Sequence, residues 1–408
     1  MDVPLSRELR ETVEKPARPR AGVRRKVRTV RFLAQSYNWP PAPSGWALSF
    51  VPQSVPGRVV TAASATEIAP EDLGPIYRTM LLARSLDERC LAMQRQGRIG
   101  FYAPVMGQEA AQVACAWALD PADWVFPAYR ELGVALVRGV TLDELFDQFF
   151  GNSADRMKGR QMPNHYGYRD RNFVVGSSPI GTQIIQAVGA ALAARRRKDP
   201  IVTIPFFGDG ATSSNDFHAG LNFGGVFQAP TIFFCQNNGW AISLPRSRQT
   251  AAKTLADKGV AYGVPGVVVD GNDVHQVFRA VREARARALS GAGPTLIEVQ
   301  VYRLGAHSTS DDPHRYRTDA EVAEWKKQDP IGRLKHELIE AGQWSEDQDA
   351  KLLEELRAEI SAAVTRTEAI GPADPLSFLD DVFATRTLQL DEQRHQLEEM
   401  LHSGLVKP

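Results

Sequence analysis

Cysteine is scarce in this 408-residue chain: Cys90, Cys115 and Cys235 stand far apart, and no C-x-x-C pair occurs. Three scattered thiols build neither a disulfide framework nor a zinc site, which fits a reducing compartment. An excess of either charge is also lacking, since 48 Lys and Arg residues balance 48 Asp and Glu residues. No global field therefore draws the protein to nucleic acid or to an acidic membrane surface. No apolar run approaches the roughly 18 residues of a membrane span, and the N-terminus has no apolar core of a secretory signal. The G-x-x-x-x-G-K-[ST] pattern of P-loop proteins is missing, and no internal repeat is visible. The expectation is an intracellular protein, cytoplasmic and of bacterial type, with neither nucleic acid nor a membrane as a partner.

What is present varies along the chain. Residues 1–69 are proline-rich and aperiodic, with Pro40, Pro41 and Pro43 breaking any helix, and read as an extended N-terminal arm. Within it ten basic residues, from Arg7 to Arg31, outnumber Asp2, Glu8, Glu11 and Glu14. A mitochondrial-matrix transit peptide is the alternative reading, but such peptides are acid-poor, so the segment is taken as a solvated arm. Pro70, Glu71 and Asp72 open a helix carrying Ile76, Met80, Leu81 and Leu86 at helical spacing, and helices are expected to continue to about Gly151. Short apolar runs at 201–207, 231–235, 267–269 and 295–301 then alternate with helix-length segments. That alternation marks a parallel sheet with crossover helices, an α/β domain over residues 70–329. Residues 330–408 read as a helical appendage, with amphipathic segments at 331–341 and 347–364.

The most informative passage is 201–240. One apolar strand ends in Gly208-Asp209-Gly210, a helical segment follows, and a second strand ends in Asn237-Asn238-Gly239-Trp240. In a right-handed βαβ unit both carboxyl ends lie on one sheet edge, so Asp209 and Asn238 face one crevice. Glycines beside the carboxylate admit a phosphate close to the backbone, and the next helix start supplies N–H groups and a positive dipole end. A carboxylate with an amide oxygen suits Mg²⁺, which prefers oxygen ligands. Gly-Asp-Gly alone is an ordinary turn. Here, however, twenty-six residues lie between Gly210 and Asn237, and this resembles the thiamine diphosphate signature.

Further passages resemble the α subunit of branched-chain 2-oxo acid dehydrogenases, over roughly residues 70–400: Gln94 to Arg98 with Phe101-Tyr102, Ala128 to Glu131, Gly159 to Pro163, Ser177 to Pro179, and His307 to Asp312. The resemblance implies a thiamine-diphosphate-binding fold, a parallel sheet flanked by helices. It assigns Mg²⁺ to Asp209, Asn238 and the backbone carbonyl of Trp240, with Gly210 and Ala211 beside the cofactor. It places Tyr129 and Arg130 on the diphosphate, and Ser178 and Ile180 next to the cofactor. Oxygens of Ser177, Pro179, Thr182 and Gln183 would hold K⁺. Read without the resemblance, the same segment is a serine cap entering a tightly packed helix. Gln236 stands where relatives of the resembled family can carry an arginine, leaving at that cofactor-binding position a neutral donor in place of a charge.

His307 opens a polar loop, Ser308 to Tyr316, after the last apolar run, and the resemblance makes it the catalytic residue, with a near-neutral pKa suited to proton transfer. The other seven histidines read as solvated or core side chains. Arg303, Asp311, Asp312, Tyr316 and Arg317 are candidate contacts for a docking lipoyl domain, and a phosphate on Ser308 would add charge beside the cofactor. The implied reaction is oxidative decarboxylation of branched-chain 2-oxo acids such as 3-methyl-2-oxobutanoate, with the acyl group passed to the disulfide of a lipoyl-bearing acyltransferase. The implied partner is a β subunit in an α2β2 heterotetramer. A pyruvate or acetoin dehydrogenase α subunit, and a non-catalytic Mg²⁺-nucleotide-binding protein, remain as alternatives.

Overall fold

A computed structural model describes residues Thr66–Val406; most of the expected N-terminal arm lies outside the described residues. The chain runs α1 (Pro70–Arg95), α2 (Glu109–Ala118), β1 (Trp124–Phe126), α3 (Leu132–Val137), α4 (Leu142–Phe150) and α5 (Thr182–Arg197). It continues with β2 (Thr203–Gly208), α6 (Asn215–Val226), β3 (Ile232–Asn237), β4 (Trp240–Ala241), β5 (Leu244–Pro245) and α7 (Arg246–Gln249). Then come β6 (Gly266–Asp270), α8 (Val274–Leu289), β7 (Thr295–Gln300), α9 (Asp319–Lys326), α10 (Pro330–Glu340), α11 (Glu346–Glu368) and α12 (Leu388–His402).

Five strands form one parallel sheet in the order β1-β2-β3-β7-β6. All six residues of β3 are buried, and only Gly208 of β2 is partly open, as expected of parallel strands covered on both faces. Helices α5 and α6 cover one face and α2 and α8 the other; Ile184, Val188, Phe217 and Leu221 belong to one apolar cluster, Val113, Phe278 and Val281 to a second. The helices α10 and α11 bury Leu334, Leu338, Leu356 and Ile360 in that second cluster together with α1 and α2. Among the described residues no helix is long and apolar enough to cross a membrane.

Three local features depart from the sequence reading. The stretch before Gly151 contains the edge strand β1, whose three residues between Pro121 and Pro127 are too few to show a period of two. Gly208-Asp209-Gly210 does not pass directly into a helix: a 3-10 turn spans Asp209–Ser213, and α6 starts at Asn215 with Ser214 Oγ accepting from the Phe217 N–H. The helix start is therefore capped by its own serine. Helix α5, by contrast, has no serine cap. Its N-cap is Gly181 at φ +95°, where a Cβ would meet Ser214 Oγ at 2.3 Å, so only glycine lets the two helix starts approach this closely.

Candidate functional site

The parallel register decides where the chemistry collects. Gly208 pairs with Gln236 across β2 and β3, so Asp209 and Asn238 leave adjacent strands at the same edge. The segments after β1 and β7 arrive at that edge as well, bringing Tyr129 and Arg130 from one side and Arg303 and His307 from the other. Together they enclose a cavity of about 600 Å³. It is lined by Tyr129, Arg130, Ser177, Ser178, Pro179, Ile180, Gln183, Asp209, Gly210, Ala211, Gln236, Asn238, Trp240 and His307. Thr182 sits just behind, its hydroxyl donating to Ser177 Oγ at 3.0 Å and to the Pro179 carbonyl at 3.3 Å.

Asp209 is 1% exposed and its Oδ2 has no hydrogen-bond partner. Burial pushes its carboxyl up to about 6, with Arg303 among the smaller opposing influences. A buried, half-satisfied carboxylate at a cavity wall is costly unless a cation meets it. The other oxygens at this corner are neutral: Asn238 Oδ1 accepts from the Trp240 N–H at 3.2 Å, and the Trp240 carbonyl takes a long bond of 3.4 Å from Arg303. One carboxylate, one amide and one carbonyl make an all-oxygen donor set that fits a hard divalent ion, so the residues present suit Mg²⁺. Among the described residues no cluster of three His, Cys, Asp or Glu side chains offers a softer metal site. Gly210 packs against the β4–β5 hairpin, where an added Cβ would lie 2.9 Å from that of Ala241; close hairpin packing thus adds a second demand for glycine in this turn.

Arg130 is buried and already engaged. Its Nη1 donates to the Pro104 carbonyl at 2.5 Å and its Nη2 to the His307 carbonyl at 3.0 Å, while its guanidinium lies 5.2 Å from the Tyr129 ring centroid. Gln236 is likewise committed: its Nε2 donates to Glu131 at 2.8 Å and its Oε1 accepts from Gln112 at 3.1 Å. Glu131 in turn accepts from the Arg130 N–H at 3.0 Å, so the neutral amide links two polar neighbours beneath the arginine. The buried carboxyl of Glu131 is raised by desolvation.

His307 departs from the near-neutral expectation. Burial, then Arg130, then Arg303 hold its imidazole down to about 4, against a weaker upward pull from Asp311. Nδ1 faces Arg130 Nη2 at 3.3 Å and Arg303 Nη1 at 3.4 Å. Both neighbours only donate, so Nδ1 accepts and the ring proton sits on Nε2. The loop is pinned by Asp311, which accepts from the His307 N–H at 2.9 Å and from the Tyr316 hydroxyl at 2.5 Å. Arg303, expected at a docking surface, is instead 1% exposed with its guanidinium bonded to the Ile242 carbonyl and Tyr316, and Arg317 is buried against the carbonyls of Arg303, Leu304 and Gly305. Of the five docking candidates only Asp312 is exposed, while Asp311 and Tyr316 are half-buried. Ser308 is buried too.

His165 reads in the sequence as an ordinary histidine, yet it lines the cavity with its Nε2 2.7 Å from Ser178 Oγ, and burial lowers its pKa. Its one sequence signal is its nearness to the Gly159 to Pro163 passage; Phe101 and Met162 stand beside it in the wall.

A parallel α/β sheet that gathers a buried carboxylate, two arginines and a histidine around one cavity at its carboxyl edge defines an α/β protein with a ligand-binding crevice outside its strand ends. More particularly, the chain belongs to the family described as "Dehydrogenase E1 component", whose model matches residues 77–375. It is 42% identical to the "2-oxoisovalerate dehydrogenase subunit alpha, mitochondrial" of Homo sapiens over 348 residues, covering 85% of this chain and 78% of that one. It is 44% identical to "2-oxoisovalerate dehydrogenase subunit alpha" of Bacillus subtilis over 322 residues, 78% of this chain and 98% of that one. Identity to "Pyruvate dehydrogenase E1 component subunit alpha" of Staphylococcus aureus is 41% over 338 residues, 83% and 89% of the two chains.

Proposed function

We propose that this chain is the α subunit of a branched-chain 2-oxo acid dehydrogenase, which decarboxylates 3-methyl-2-oxobutanoate and related acids with a β subunit and passes the acyl group to a lipoyl-bearing acyltransferase. The observation that carries the reading is the partnerless Oδ2 of Asp209, buried at the strand edge opposite Asn238. Asp209, Asn238 and the Trp240 carbonyl hold Mg²⁺, and Tyr129 and Arg130 hold the diphosphate, with Gly210, Ala211, Ser178, Ile180 and Gln236 around the cofactor. Ser177, Pro179, Thr182 and Gln183 hold K⁺; in support, the first three already meet through the Thr182 hydroxyl, and Gln183 Oε1 is buried without a partner.

Thiamine diphosphate, when bound, supplies the electron sink for decarboxylation. The chain's own residues bind, orient and exclude water. Arg130 gives up a carbonyl partner to pair with phosphate oxygens, a charge-assisted contact. His307 presents a neutral Nε2–H to the cavity, a donor placed to hold a proton next to the reacting oxygen or the lipoyl sulfur.

The test is reductive acylation of a lipoyl domain by the co-purified αβ complex, with thiamine diphosphate and Mg²⁺, on 3-methyl-2-oxobutanoate and on pyruvate. A higher kcat/KM on the branched acid supports the reading. A preference for pyruvate reassigns the substrate to that of the Staphylococcus aureus relative, and no thiamine-diphosphate-dependent turnover on any 2-oxo acid overturns it.

A further inference from the structure

Glu298 is a carboxylate inside the sheet, on β7, 1% exposed, and the groups that donate to it are all neutral. Nothing assigned so far uses it. Its two oxygens are nevertheless fully committed, and to two different segments. Oε1 accepts from Asn237 Nδ2 at 2.7 Å. Oε2 accepts from the backbone N–H groups of Leu255 and Ala256 at 2.6 and 3.0 Å. The geometry follows from the register: Glu298 pairs with Cys235, and Asn237, two residues further along β3, projects from the same face.

Each segment leads to one half of the cation corner. Asn237 Oδ1 accepts from the Gly239 N–H at 3.1 Å, which closes the turn that displays Asn238 and Trp240. On the other side, Leu255 and Ala256 begin the 3-10 turn that carries Lys258. Lys258 Nζ donates to Thr212 Oγ1 at 2.8 Å and to the Thr212 carbonyl at 3.1 Å, and Thr212 Oγ1 donates to the Asp209 carbonyl at 2.8 Å. One buried carboxylate therefore ties down both the turn bearing Asn238 and, through Lys258 and Thr212, the turn bearing Asp209. Resting on the metal assignment above, we propose that Glu298 is the positioning residue of the Mg²⁺ site, setting the separation of Asp209 and Asn238 without touching the ion.

The hydrogen-bond polarity makes this separable from a merely structural role. Glu298→Gln puts an NH₂ group opposite the Asn237 NH₂, two donors face to face. Asn237→Asp alone puts two carboxylates face to face. The double substitution restores a donor opposite an acceptor and leaves an oxygen for the Gly239 N–H. In the αβ complex with thiamine diphosphate present, Mg²⁺ titrated by calorimetry should bind roughly 10- to 100-fold more weakly in either single variant, with the affinity recovered in the double. Unchanged Mg²⁺ affinity in Glu298→Gln, or a double variant no better than the singles, overturns the proposal. Should the Glu298 variants fail to fold, Lys258→Met severs the other arm while keeping the stem near the Phe217 ring. It should weaken Mg²⁺ binding as well, and parental affinity there equally overturns the proposal. A parent complex without Mg²⁺-dependent cofactor binding would instead bring down the metal assignment, and this proposal with it.

Discussion

Arg130 grips His307 twice, its Nη2 donating to the His307 carbonyl at 3.0 Å and facing the ring Nδ1 at 3.3 Å. The first prediction rests on this pair. The folded pKa of His307, about 4, lies below its ordinary value, so the folded protein binds fewer protons than the unfolded chain between about pH 4 and 6.5. Its contribution to stability is fully present above about pH 6.5 and is lost as pH falls toward 4. His307→Asn should flatten this part of the thermal midpoint against pH, and Arg130→Met should narrow the window by letting the pKa rise. A parental profile in His307→Asn would show that the ring does not titrate this low.

Replacing Asp209 tests the metal corner from the opposite direction. Asp209→Asn should abolish Mg²⁺-dependent thiamine diphosphate binding in calorimetry. It should also leave the ligand-free thermal midpoint unchanged or higher at neutral pH, because burial penalises the charge that is removed. Near-parental cofactor affinity would refute the assignment.

Arg130→Ala is expected to cost about 1.5 to 3 kcal/mol of thiamine diphosphate affinity, the loss of one charge-assisted phosphate contact. Since the side chain also holds Pro104 and His307, the ligand-free protein should lose stability as well. Calorimetry and a denaturant midpoint read the two effects separately. A variant that loses stability but keeps cofactor affinity would leave Arg130 a structural residue only.

The chain on its own should not turn over. The described residues contain a single five-stranded parallel sheet, and Glu131, a carboxylate in the cavity wall, is occupied by Gln236 and the Arg130 backbone. With Asp209 assigned to Mg²⁺, no carboxylate of the described cavity wall is left to activate the aminopyrimidine ring. Helix α5 turns Ile184, Val188 and Ala191 toward the sheet and exposes Gly189 and Ala193 on its other side, a smooth surface suited to close packing by a β subunit. Decarboxylation of 3-methyl-2-oxobutanoate followed with an artificial electron acceptor should be absent for the isolated chain and appear when the β subunit is added. Full activity of the isolated chain would refute the divided site.

Much of this was legible from residue order because it depends on local pattern. The near-continuous apolar runs of β2, β3 and β7 mark parallel strands covered on both faces. The interval between Gly210 and Asn237 is one strand–helix–strand unit, which fixes the edge at which Asp209 and Asn238 emerge. Strand β1 has no such mark, since three residues carry no period.

Charge state and the sharing of hydrogen bonds were decided only by tertiary structure. His307 looks like a neutral-pH titrating group in sequence; two arginines, more than a hundred residues back and four residues back in the chain, converge on Nδ1 and remove that property. Arg303 reads as a docking contact until burial turns it inward, and Gln236 reads as a free donor until Gln112 and Glu131 claim its amide. Glu298 has no signature at all, being one acidic residue within an apolar strand. Residue identity and spacing determine which groups reach the strand edge, because the pleat and the register are local periodicities. What each group does there depends on desolvation and on neighbours brought from distant parts of the chain, and these exist only once the sheet and its helices have packed.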